Sequence, residues 1–133
     1  MNKKSANGTF TIKGWDEKPY NETEGGPKMT RASIKMEYKG DIEGEGALEY
    51  LMVYPEENKA YFVGLERIVG SVGGRKGSYV VQHEGTFEGG IAKDKSTVVD
   101  GSGTGELAGL KGQGSYETGH EEPHNISFDY HFD

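Results

Sequence analysis

The chain contains no cysteine, which excludes disulfides, thiol catalysis and cysteine-ligated zinc. It has no apolar run near the length of a membrane helix, and its basic start, "MNKK", leads into "SANGTFTIKGW" without the apolar core of a signal peptide. The expected location is therefore the cytoplasm, with no membrane partner. Positive charge is scarce: 15 Lys and Arg stand against 22 Asp and Glu, for a formal net charge of -7. Nucleic acid is not expected as a partner, because phosphate contacts need clustered cations. Also missing is any window with an apolar stripe at i, i+3, i+4 and i+7, so helix is expected to be nearly absent. There is no G-x-S-x-G elbow and no Ser-His-Asp order, which leaves hydrolase chemistry without support.

What is present is alternation. Hydrophobic residues make up only 32% of the 133 positions, and glycine contributes 22, yet the apolar residues fall at every second position in short runs. A period of two lets half of each run build a core while the other half faces water. Eight strands are expected, at 8–15, 28–40, 46–54, 60–71, 76–87, 91–99, 106–118 and 124–132. The second is the cleanest, with Thr30, Ala32, Ile34, Met36 and Tyr38 on one face and Arg31, Ser33, Lys35, Glu37 and Lys39 on the other. "VGGR" and "EGGI" read as hairpin turns, because both central positions of a type I' turn need positive φ. The expected fold is an all-β, eight-stranded antiparallel up-and-down barrel, with residues 1–7 as a tail and 8–133 as one domain. Closure removes the edges that a glycine-rich meander would expose.

Within "DGSGTGELAGLKGQGSYE", Gly103, Gly105 and Ala108 fit the spacing of a dinucleotide fingerprint. That motif has meaning only where a strand feeds a glycine turn that opens a helix. No helical pattern follows, so the glycines are read as marking a bent strand or a close backbone approach. "HEEPH", residues 120–124, suggests zinc, but its proline and the lack of a scaffold favour a solvated loop. No metal and no cofactor are expected.

"TRASIKMEYKGDIEGEGALEYLMVY", "FVGLERIVGSVGGRKGSYVVQHEGTF" and "GSGTGELAGLKGQGSY" together resemble a bacterial family of unknown function, DUF3224, whose members are similar to the allene oxide cyclase barrel. The resemblance runs from about residue 8 to the C-terminus. It implies an eight-stranded barrel with a central cavity; the cyclase's catalytic residues do not map onto this chain one by one.

Candidate chemistry comes from register. With Gly73 and Gly74 as turn residues, Ile68 falls opposite Tyr79, Glu66 opposite Val81 and Gly64 opposite His83. Glu66 and His83 become diagonal neighbours on a face shared with Phe62, Gly64, Ile68, Tyr79, Val81 and Phe87. The simplest register through "PEENK" adds Glu49 and Leu51 to that face, with Glu49 opposite Gly64, and the turn at Gly89 and Gly90 brings Asp94 and Ser96 beside His83. Glu66, His83 and Glu49 are thus the candidate acid-base residues, and the others line a ligand site. A slip of one residue would reverse every assignment. Trp15, Tyr20 and Arg31 are placed at one barrel mouth.

Three readings of the cluster stay open at this point: ligand-facing groups with shifted pKa values, a structural polar network, or a solvated face. The corresponding functions are a binding barrel for a small apolar or amphipathic ligand, a cofactor-free isomerase or cyclase, and a structural or oligomerising barrel with a filled interior. Homo-oligomers fit such a barrel, although no stripe in the sequence singles out an interface.

Overall fold

The computed structural model describes residues 3–119 and 122–133. The strands are β1 (Lys4–Asn21), β2 (Lys28–Gly40), β3 (Ile42–Glu56), β4 (Lys59–Val72), β5 (Arg75–Glu88), β6 (Ile91–Val98), β7 (Leu110–Thr118) and β8 (His124–Phe132). Each pairs antiparallel with the next, and β1 pairs with β8, so the sheet closes on itself. The expected eight-stranded barrel is the observed one. Among the described residues no helix is long and apolar enough to cross a membrane.

Period two decides which side chains enter. On β2, Thr30, Ala32, Ile34, Met36 and Tyr38 are all buried, and on β8 Ile126, Phe128 and Tyr130 are. Two hairpins set the register as read from the sequence. Gly73 and Gly74 have φ of 56 and 84 degrees, and Gly89 and Gly90 have 60 and 84 degrees, a conformation that only glycine adopts freely.

β1 is longer than alternation indicated, running from Lys4 instead of residue 8 and on through Asn21. Its first residues belong to the barrel because they pair with β8, Lys4 with Tyr130 and Ala6 with Phe128, and Ala6 is fully buried. The seventh strand starts later than 106, at Leu110, and a single 3-10 turn, Gly105–Leu107, precedes it.

That turn belongs to the glycine-rich stretch, which covers an edge. β5 pairs with β6 only from Val81 onward, so its earlier N–H groups need other partners. Residues after β6 supply them. The Val80 N–H donates to Ser102 Oγ at 3.0 Å, the Ser78 N–H to Thr104 Oγ1 at 3.0 Å, and the Lys76 N–H to Glu106 Oε1 at 3.1 Å. Leu107 plugs this end of the barrel, fully buried. The fingerprint-like spacing therefore serves backbone pairing.

This plugged end is filled by Ile42, Ile68, Val72, Tyr79, Val81, Val98 and Leu110. The other end, where the Gly89–Gly90 hairpin lies, is less completely packed. Outside, β4 carries an exposed apolar row of Tyr61, Val63, Leu65 and Val69. A broad open saddle of about 1000 Å³ runs across the outer surface of β4 to β8 and onto the start of β1.

Candidate functional site

The expected pairings Ile68–Tyr79, Glu66–Val81 and Gly64–His83 are all observed, and His83 lies opposite Ser96 with Asp94 one diagonal away. Glu66, His83 and Asp94 consequently meet inside the barrel. His83 Nε2 is 2.7 Å from Glu66 Oε1, and its Nδ1 is 3.0 Å from both oxygens of Asp94. Glu66 is fully buried, and His83 and Asp94 are nearly so.

Three phenols complete the network. The Tyr38 hydroxyl donates to Glu66 Oε2 at 2.6 Å, the Tyr50 hydroxyl donates to Asp94 Oδ2 at 3.1 Å, and the hydroxyls of Tyr50 and Tyr116 are 3.0 Å apart. Among the described residues no buried side-chain nitrogen or oxygen lacks a partner, the condition under which a buried polar network is tolerated.

Burial alone would lower the pKa of His83, but the hydrogen bonds and charges of Asp94 and Glu66 outweigh it and push the imidazole up to about 9. It is protonated at neutral pH, with each ring N–H donating to a carboxylate. Tyr38, Tyr50 and Tyr116 are held well above the ordinary phenol range, first by burial and then by the adjacent carboxylates and phenols. Their protons stay in place.

Gly46 makes room for the network. A Cβ there would stand 2.0 Å from Glu66 Oε2 and 3.1 Å from the Tyr38 ring, so Gly46→Ala should cost about 1–3 kcal/mol by displacing that carboxylate. Urea denaturation measures it, and an unchanged midpoint would contradict this placement of Glu66.

Glu49 and Leu51 do not belong to the site. Tyr50, not Glu49, lies opposite Gly64, so both residues point outward. Glu49 accepts hydrogen bonds from Arg31 at 3.0 Å and Ser33 at 2.9 Å on the outer surface, and Leu51 is 48% exposed. The cause is the β3–β4 connection: Val53 pairs with Tyr61 but Glu56 pairs with Lys59, so β3 holds one extra residue. The bulge contains Pro55, which has no N–H for a regular ladder. One residue of register exchanges a carboxylate for a phenol.

Of the remaining expected ligand residues, Phe62 and Phe87 border the free space at the less packed end. Gly64, Ile68, Tyr79, Val81, Asp94 and Ser96 do not. Ile68, Tyr79 and Val81 pack the filled end, Ser96 stands over Gly114, and Gly64 is closed against the Tyr50 ring.

The free space is a slot of about 60 Å³, walled by residues that include Phe10, Ile34, Met36, Leu48, Met52 and Phe62. Tyr50 and Tyr116 also border it, linking it to the buried network, and Trp15 lies at its edge, half exposed. The Trp15 indole N–H donates to Glu17 Oε1 at 3.0 Å. Glu17 also accepts from Thr30 Oγ1 at 2.7 Å and from the Tyr54 hydroxyl. Partial burial would raise the Glu17 pKa, but these three hydrogen bonds and Lys28 lower it.

Sequence reading placed Trp15 at a mouth but missed Tyr38, Tyr50 and Tyr116 as network members and Glu17 as the acceptor beside Trp15. Arg31 turns outward to Glu49, and Tyr20 is exposed. In the "HEEPH" segment His120 and Glu121 lie outside the described residues. His124 differs from the solvated loop expected: it is 8% exposed and its ring centroid is 5.1 Å from that of Phe10. Glu122 accepts the Ile12 N–H at 2.7 Å. Among the described residues no cluster has the arrangement of a metal site.

Residues 6–130 match the sequence profile of the family described as "Protein of unknown function (DUF3224)". The chain belongs to this family. A crystal structure of another DUF3224 protein of unknown function, from Shewanella oneidensis MR-1, is similar over 99% of both chains, at 27% identity and a TM-score of 0.81. No curated protein matches this DUF3224 chain.

Proposed function

We propose that this barrel binds a small amphipathic ligand, the apolar part entering the slot and the polar atom meeting the hydroxyls of Tyr50 and Tyr116. The observation that supports it is a mostly apolar slot bordered by Tyr50 and Tyr116, whose hydroxyls belong to a fully paired network. At about 60 Å³ the slot is well below the ~300–1,000 Å³ of sites for drug-sized ligands. It suits a few heavy atoms, or the end of a longer molecule that leaves past Trp15.

Glu66, His83 and Asp94 act here as positioning residues. Both nitrogens of His83 and both oxygens of each carboxylate are engaged within the network, which leaves none of them free to exchange a proton with a substrate. This favours binding over an isomerase or cyclase using the same cluster.

Trp15 is the only tryptophan in the chain, so its fluorescence reports on the slot. Titration with short aliphatic alcohols and amines should shift Trp15 emission saturably. Ala92, which also borders the slot, provides the block: Ala92→Phe should abolish the response while the protein stays folded. A response that persists in the folded variant, or no saturable response in the wild type, rejects the proposal.

A further inference from the structure

The protons of the network run in one direction. Asp94 accepts from His83 Nδ1 and from the Tyr50 hydroxyl, while Glu66 accepts from His83 Nε2 and from the Tyr38 hydroxyl. The two phenols are 3.0 Å apart and either can donate to the other, while both also face Asp94. In either arrangement the Tyr116 proton is held inside the network, by the Tyr50 oxygen or by the Asp94 carboxyl. What Tyr116 has left is lone-pair density, so its hydroxyl is an acceptor toward any ligand.

The electrostatics agree with that polarity. Two carboxyl side chains flank the one imidazole behind the tyrosine pair, so acceptor oxygens outnumber cationic groups there. Six aromatic residues border the slot: Phe10, Trp15, Tyr50, Phe62, Phe87 and Tyr116. The negative faces of aromatic rings attract cations. An anion would meet a spent donor with acceptor oxygens behind it.

Resting on the slot reading above, we infer that the ligand group selected at Tyr116 is a protonated primary amine on a short alkyl chain. The ammonium donates to the Tyr116 oxygen, and the alkyl carbons occupy the apolar walls toward Trp15. No bond is made or broken in this step.

Isothermal titration at neutral pH with propylammonium, 1-propanol and propionate, three probes of one size and different charge, tests it. Propylammonium should bind tightest, 1-propanol more weakly, and propionate not at all. Tyr116→Phe should weaken propylammonium about tenfold or more, the usual worth of a hydrogen bond to a charged group. That variant keeps the net charge of -7, so general attraction of a cation to an acidic protein cannot produce the loss. The ranking of the three probes on the wild type needs no variant at all. Propionate or 1-propanol binding as well as propylammonium, or a folded Tyr116→Phe with unchanged affinity, overturns the inference while leaving the slot in place. Failure of all three probes overturns the inference and the slot reading together.

Discussion

Replacing His83 with alanine is expected to lower the melting temperature by roughly 10–20 °C. The substitution leaves Glu66 Oε1 and both oxygens of Asp94 without the donors that now stand 2.7 and 3.0 Å away, in a part of the core where Glu66 is fully buried. Breaking a buried ion pair by removing one partner costs about 3–5 kcal/mol, because the remaining charge is uncompensated. Here two carboxyl groups lose their shared donor at once. For a domain of 133 residues each kcal/mol moves the melting temperature by about 3–5 °C. Glu49→Ala is the matched control: it removes an exposed carboxylate whose ion pair with Arg31 is worth at most about 1 kcal/mol. Scanning calorimetry of both variants decides the matter. A His83→Ala protein that melts with the control would show that the triad does not hold the core.

The second large effect is on pH. The imidazole of His83 titrates at about 9 in the folded protein against an ordinary value of 6.5, a shift equivalent to roughly 3 kcal/mol. Because the folded value is raised, this stability is fully present below pH 6.5 and is lost as pH rises through 9. The tyrosines of the network do not interfere in that window, since their pKa values are pushed above the ordinary phenol range. Urea midpoints of the wild type should therefore fall between pH 6.5 and 9.5, while those of His83→Gln should stay nearly level. Parallel curves for the two proteins would place the titration elsewhere.

The sequence made the interior legible wherever a turn declared itself. Gly73–Gly74 and Gly89–Gly90 are tight two-residue turns that admit one register, so the convergence of Glu66, His83 and Asp94 could be read by counting from them. The turn after β3 hid its register, because its bulge, which includes Pro55, falls within a run that still alternates. Counting through it placed Glu49 and Leu51 inside and overlooked Tyr50. Similarly, the glycine-rich stretch after β6 was read as strand from residue 106. Its first residues instead cover the uncovered edge of β5, an arrangement set by where β6 stops pairing.

The alternating pattern by itself determined the strands, the side of the sheet on which most residues fall, and the two glycine hairpins, because these are properties of neighbouring positions. Tertiary structure alone decided which side chains meet across the interior. Tyr38 reaches Glu66 over 28 positions and Tyr50 reaches Tyr116 over 66, contacts made by closing the sheet into a barrel. The same closure decided that one end is filled while the other keeps a small slot. Free volume depends on how side chains from seven strands fit together at that end, and no local pattern encodes that sum.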